Sequence, residues 1–341
     1  MTIPRDVPSE SQMSNAGQAQ PERTPLFTIG SVSIYGDLAL APMAGYSDLP
    51  MRTLCAEMGS AIHYTACVLD DPVIHNSPKT AKLVERGPDE SPFAIQLLGN
   101  DPARLLKACQ LLNERRAPDF YDLNLGCPSR RVVRRDRGSA LLLKPERVAA
   151  IMDHLVGHLD MPVTAKIRLG WDDDTHNAVE IARLLQDHGA AAIAVHGRTR
   201  AQGYSGDADW DAIARVREAI DVPLLANGDV RVVDDIDRIK AVTGCEAVLI
   251  GRGAIGNPWI FSRVDVQDVS YAERHRVIER HLTDMVAYYG ERIGLILFRK
   301  HVIRYTRRVT EAALLRQRLW GCRSADAMRQ VIEDWPHKSN A

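Results

Sequence analysis

Residues 162–170 read PVTAKIRLG, residues 191–197 AAIAVHG, residues 222–229 VPLLANGD and residues 246–253 EAVLIGRG. Each is a short apolar run ending in small or polar functional residues. Such runs, separated by longer segments with apolar residues three and four apart, are the mark of strands alternating with helices. Working outward towards the amino terminus, the rhythm recurs at LALAP (38–42), AIHYTA (61–66), FAIQLLG (93–99) and DFYDLNLG (119–126). Helix candidates lie between most of the runs, at 103–114, 145–159, 178–188 and 210–220, and the interval 67–92 is the least regular. Eight strand–helix units over about 230 residues suit a closed parallel (β/α)8 TIM barrel, which typically takes about 250. An open doubly wound sheet would be expected to carry a G-x-G-x-x-G turn after an early strand, and none follows one here.

Past Ile260 and Phe261 the periodicity becomes helical only, from Tyr271 through Val286, Tyr289, Phe298, Val302 and Leu314. The expected fold is therefore an α/β barrel followed by a small all-helical C-terminal domain. Residues 1–25 read as a disordered leader, 26–265 as the barrel and 266–341 as the helical part. The leader has Pro, Ser, Gln and Gly but no apolar core of a secretory signal, which points to the cytoplasm.

With 45% hydrophobic and 26% charged residues, and no apolar run near the roughly 20 residues of a membrane span, the composition is that of a globular protein. The six cysteines, Cys55, Cys67, Cys109, Cys127, Cys245 and Cys322, form no C-x-x-C pair, so no metal site is spelled out. A net charge of −1 argues against a uniformly basic nucleic-acid binder. The basic residues are nonetheless clustered. Arg130, Arg131, Arg134, Arg135 and Arg137 crowd one loop, and Arg292, Arg299, Lys300, Arg304, Arg307, Arg308, Arg316, Arg318 and Arg323 have Glu311 as the only carboxylate between them. Local patches of this kind are the footprint for a polyanion.

In such barrels the chemistry sits at the carboxyl ends of the strands. Read that way, Pro42, Met43, Gln96, Asn124, Cys127, Lys166, Arg168, His196, Asn227, Gly228, Gly251 and Arg252 ring one mouth. Any one alone is more often structural; their joint occurrence is what argues for a site. LLANGD and LIGRG place glycines after the seventh and eighth strands, the usual phosphate site of this fold, with Arg252 as a bidentate partner. A mononucleotide such as FMN suits these loops better than a dinucleotide. Lys166 and Gln96 would then hold the flavin ring where reduction builds negative charge. The Cys127 thiol, following the fourth strand at the same mouth, is a candidate catalytic general acid. The arginines beside it, Arg131, Arg134 and Arg135 among them, read as a clamp for RNA phosphates.

DLNLGCPSRRVVRRDRGSALL (122–142) is the most specific stretch. With LAPMAGYSDLPMRTLCAEMG, FAIQLLG, AKIRLGWD, VHGRTRAQGYSG, LANGD and IGRGAIGNPWIF it resembles the tRNA-dihydrouridine synthase family, in order and over nearly the whole barrel. RTLCAEMG, GSALL and NPWIF are nearest its B type, while QLLG and RLGWD are also similar to its C type. The resemblance implies reduction of uridine to dihydrouridine in tRNA, with a hydride from reduced FMN to C6, a proton from Cys127 to C5 on the opposite face, and NADPH as reductant of the flavin. It implies a cofactor set of Pro42, Met43, Ala44, Gln96, Lys166, His196, Arg198, Asn227, Gly228, Asp229, Gly251 and Arg252. Asn124, Arg168 and Tyr204 would read the uracil. Thr65 and Ala66 stand where the family often has a Glu in second position, a departure in the substrate pocket. Competing readings are a synthase acting on ribosomal RNA, a flavin barrel acting on a small pyrimidine, and an RNA-binding protein without catalysis. A monomer without metal or membrane association is expected.

Overall fold

A computed structural model describes residues 24–116, 118–306 and 312–334. Most of the proposed leader, together with Arg307, Arg308 and Glu311, lies outside the described residues. The strands are β1 (Phe27–Ile29), β2 (Val32–Ile34), β3 (Leu38–Leu40), β4 (His63–Tyr64), β5 (Val68–Leu69), β6 (Phe93–Leu98), β7 (Phe120–Asn124), β8 (Val163–Arg168), β9 (Ile193–His196), β10 (Leu224–Asn227) and β11 (Ala247–Ile250). From β3 to β11 they form one parallel sheet. It closes because β3 pairs with both β4 and β11 while β4 pairs with β6. The eight-stranded barrel inferred from the apolar rhythm is the observed fold.

Strict alternation builds it. Ile95, Leu97, Tyr121, Leu123, Ala165, Ile167, Val195 and Ala226 belong to the core between barrel and helices. Their neighbours Ala94, Phe120, Ala194 and Leu225 belong to a separate inner cluster. Along a strand, residues two apart share a face, so the inward row continues from these apolar residues into Gln96, Asp122, Asn124, Thr164, Lys166, Arg168, His196 and Asn227. The registers Gln96↔Asp122↔Thr164 and Arg168↔His196↔Asn227 set those side chains side by side.

Two features differ from the expectation. The second strand is split into β4 and β5, both paired to β6, with Thr65–Cys67 between them. The irregular interval after it holds the short helices Asp70–Ile74 and Pro78–Leu83. The β1–β2 hairpin was not anticipated. Its Ile29 and Ile34 are fully buried in the inner cluster, so it seals the amino end of the barrel.

Beyond the barrel run the helices Tyr271–Tyr289, Glu291–Tyr305, Ala312–Gly321 and Ala325–Glu333, around a core that includes Trp259, Leu282, Met285, Phe298, Leu319 and Met328. They dock on the carboxyl side of the barrel. Tyr289 donates from its hydroxyl to Asp48 Oδ2 at 3.1 Å, and Lys300 Nζ donates to the carbonyl of Gly45. Gly256, at φ +78°, lies so close to helix Glu291–Tyr305 that a Cβ there would fall 2.5 Å from the Arg304 carbonyl carbon. Only glycine permits that approach.

Candidate active site

A cleft of about 340 Å³ opens at the carboxyl ends of the strands. Pro42, Met43, Ala44, Asn124, Cys127, Lys166, Arg168, His196, Tyr204, Asn227, Gly228, Asp229, Gly251 and Arg252 all line it. Gln96 and Arg198 do not; both are fully buried beneath the lining. Arg131, Arg134 and Arg135 stand outside, exposed on and just after the short helix Arg130–Val133. Among the described residues, none of these three guanidiniums has an ion-pair partner. Arg137 differs, because it is paired at 2.9 Å with the buried Asp70 and belongs to the scaffold.

Lys166 is the cation at the centre. Its Nζ donates to Asn227 Oδ1 at 2.9 Å, and Asn227 Nδ2 donates to the carbonyl of Leu249, tying β8, β10 and β11 together. Burial, and after it the nearby Arg168, push the ammonium down to about 7 against the opposing pull of Asp122. His196 is held well below its ordinary value, chiefly by burial and then by the charges of Lys166, Arg168, Arg198 and Arg252. It is therefore a neutral imidazole at neutral pH.

Arg168 is almost wholly committed. Nε donates to the carbonyl of Gly126 at 2.7 Å, and Nη1 donates to those of Thr199 and Gly203, each at 2.9 Å. Only Nη2 is left for a ligand. Arg198 is likewise spent on the carbonyls of Ser205 and Gly206 and on Asp229 Oδ2. Arg198, expected in the cofactor set, is thus a guanidinium already occupied, and its contact with the cleft runs through Asp229 and, at 3.5 Å, through His196 Nε2. Burial raises the Asp229 carboxyl, but hydrogen bonds from Arg198 and the Ala208 amide outweigh this and leave it depressed. Arg252 remains available: it is 45% exposed, stacks 4.6 Å from the Tyr204 ring and makes one long contact of 3.4 Å with Asp229.

The two loops after β10 and β11 carry unused donors. The backbone N–H groups of Asp229, Val230, Arg252 and Gly253 donate to no other described residue. Asp229 has φ +55°, and Gly253 packs so tightly that a Cβ would lie 2.1 Å from the Val230 carbonyl oxygen. Adjacent free amides of this kind make an anion-binding concavity. Gly251, Gly253 and Gly256 also spell G-x-G-x-x-G, but after the last strand of a closed barrel and with only a short 3₁₀ turn, Pro258–Ser262, behind it. The spacing here serves loop packing.

Cys127 follows β7 on the loop 125–129. Asn124 Oδ1 accepts from the backbone N–H of Gly126 at 3.2 Å and of Cys127 at 3.0 Å, while Ser139 Oγ donates to the Cys127 carbonyl at 2.8 Å. The loop is thus pinned on both sides of its thiol. Cys67 lines the same cleft, where burial pushes its thiol up to about 12.

Several lining residues were not anticipated. Tyr46 and Arg304 reach the cleft from the β3 loop and from helix Glu291–Tyr305. Asp122 lies below it, buried, accepting from Gln96 Nε2 at 2.6 Å and from Thr164 Oγ1 at 2.7 Å. Its signal was present in DLN, because a residue two before Asn124 on a strand must share its face. Ala66, at the departure from the family pattern, is buried, and its N–H donates to the Ser47 carbonyl.

The profile of the family described as "Dihydrouridine synthase (Dus)" matches residues 39–338. The chain is 39% identical over 283 residues to a tRNA-dihydrouridine synthase B of Pseudomonas aeruginosa, covering 80% of this chain and 85% of that one. The chain belongs to the dihydrouridine synthase family. A Pasteurella multocida tRNA-dihydrouridine synthase B is 34% identical over 297 residues, 85% of this chain and 89% of its own. A Xanthomonas axonopodis homologue of the same name is 35% identical over 315 residues, 90% and 95% of the two chains. As a dihydrouridine synthase the chain is an oxidoreductase, and the cleft at the barrel mouth is where its chemistry has to be sought.

Proposed function

We propose that this dihydrouridine synthase reduces uridine to 5,6-dihydrouridine in tRNA, with FMN resident in the barrel mouth and NADPH as reductant. The observation that carries the reading is one cleft joining the free amides after β10 and β11, the Lys166 ammonium and the Cys127 thiol. These fit an FMN: the amides and Arg252 would take its phosphate, and Lys166 would stand by its ring. Pro42, Met43, Ala44, His196, Asn227, Gly228 and Gly251 would form the walls, with Gln96 and Arg198 acting from beneath.

Bound there and reduced by NADPH, the flavin would supply the hydride that C6 of the uracil needs. Cys127 supplies the proton to C5. Asn124 has one amide N–H left after its contacts, Arg168 has Nη2, and Tyr204, 59% exposed, offers a ring face; these three hold the base. His196, being neutral, adds no charge to compete with Lys166. Arg131, Arg134 and Arg135 clamp phosphates of the RNA, and the basic helices beyond residue 266, with Arg304 at the cleft, extend that surface.

The barrel, residues 26–265, is the catalytic unit and residues 266–341 the RNA-binding one. The protein acts as a monomer in the cytoplasm. No helix among the described residues is long and apolar enough to cross a membrane, and they hold no cluster fit for a metal. Mapping of dihydrouridine by mass spectrometry in RNA from a deletion strain tests the reading. Loss of the base from tRNA supports it; unchanged tRNA, or a change confined to ribosomal RNA, overturns it.

A further inference from the structure

Asp122 is the only carboxylate on the barrel strands, among the described residues, and the strands bury it. A buried acid with no cation hydrogen-bonded to it is costly and calls for a reason. Its neighbours suggest one. Both of its oxygens accept from neutral donors, Gln96 Nε2 at 2.6 Å and Thr164 Oγ1 at 2.7 Å. Gln96 Oε1 in turn accepts from Asn124 Nδ2 at 2.7 Å, and Asn124 Oδ1 accepts from the amides of Gly126 and Cys127.

An amide side chain can point either way at almost equal cost, because its oxygen and nitrogen have similar size. An ionised carboxylate cannot, since it only accepts. With Asp122 at the root, Gln96 must turn its NH2 downward and its oxygen towards Asn124. Asn124 must then give its NH2 to Gln96 and keep its oxygen for the Cys127 loop. The direction of every bond follows from the charge at the bottom.

We propose that Asp122 is a positioning residue that, through Gln96, fixes the orientation of the Asn124 amide and so holds the Cys127 loop in place. This deepens the function proposed above and rests on it for the role of Cys127. Replacing Asp122 by Asn would let the whole row reverse, leaving an NH2 group facing the Cys127 N–H. Moving the carboxylate one strand along, with Asp122→Asn and Gln96→Glu together, would restore the polarity. The carboxylate now at position 96 would accept from the new amide at position 122 on one side and from Asn124 on the other.

Hydrogen exchange of the backbone, followed by mass spectrometry on peptides spanning 124–128 of the full chain, reads the loop directly. Asp122→Asn should speed exchange at Gly126 and Cys127 by about tenfold, the worth of one net hydrogen bond. Gln96→Met should do the same, although it leaves the charge of Asp122 beside Lys166. The double variant should return to within about threefold of the wild type. If Gln96→Met exchanges like the wild type, or the double variant is as labile as Asp122→Asn, the relay is overturned; Gln96→Met keeps the test open should Asp122→Asn fail to fold. With NADPH and tRNA from a strain lacking dihydrouridine, Asp122→Asn should lower kcat about tenfold and leave KM for RNA within about twofold. Faster exchange with unchanged kcat would uphold the relay and count against Cys127 as the proton donor.

Discussion

Lys166 Nζ and Asn227 Oδ1 lie 2.9 Å apart, so the one lysine on the barrel strands, among the described residues, is aimed by an amide two strands away. Burial, helped by Arg168, holds its ammonium near 7. The folded chain then binds fewer protons at this site than the unfolded chain between about pH 7 and 10.4, so this group's contribution to stability rises with pH across that window. An anionic ligand beside Lys166 restores its charge by taking up a proton. Above pH 7 the affinity for FMN should fall by up to about tenfold per pH unit. Calorimetry in buffers of different ionisation heat should show proton uptake in the wild type and none in Lys166→Met.

On the proposed function Cys127 acts in one half-reaction only. Cys127→Ala should keep its flavin and still oxidise NADPH with an artificial acceptor, while dihydrouridine formation falls roughly 10² to 10⁴-fold. Cys127→Ser should recover little, because a hydroxyl is a far weaker acid. Single-turnover reoxidation by RNA gives the answer. Wild-type rates in Cys127→Ala would pass the role to Cys67, the other thiol of the cleft.

The unpaired arginines and the paired one should separate cleanly. Replacing Arg131, Arg134 and Arg135 by Ala should weaken RNA binding and reduce the slope of log K against log salt by about one unit per contact. Flavin content and melting temperature should not move. Arg137→Ala should instead cost about 1–3 kcal/mol of stability, because it strips a partner from the buried Asp70. Chemical denaturation and salt titrations of RNA binding measure the two effects.

Gly253 allows the β11 loop to rest against Val230. Gly253→Ala drives a methyl into the Val230 carbonyl oxygen, so the loop must shift, at a cost of about 1–3 kcal/mol. The protein should purify folded, with a lowered Tm and with little bound flavin. Full flavin content in that variant would remove the free amides from the phosphate site.

The barrel could be read from the sequence because its strands obey a period of two and its helices a period near 3.6, and the polar ends of the strands fell on the inward phase. The hairpin β1–β2 could not be read as easily: FTI and VSI are three residues each, too short for periodicity to speak. The split of the second strand escaped for the same reason. Within the cleft, residue type singled out Lys166 and Cys127, which do line it, but not the commitment of Arg198 and Gln96 to their own neighbours. Which hydrogen bonds a guanidinium or an amide has already made depends on loops brought together from distant parts of the chain, such as Ser205 and Asp229 around Arg198. Asp122 was passed over inside a motif whose other residues drew attention first.

The hairpin at the amino end has a consequence for traffic. With Ile29 and Ile34 stoppering the barrel floor, the reaction chamber is a cul-de-sac, and its doorway is the mouth shared by Arg304, Tyr46 and Cys127. On the function proposed above, an incoming dinucleotide and an RNA would use that doorway in turn, each blocking the other while inside. A single closed-ended chamber would then make its two visitors alternate.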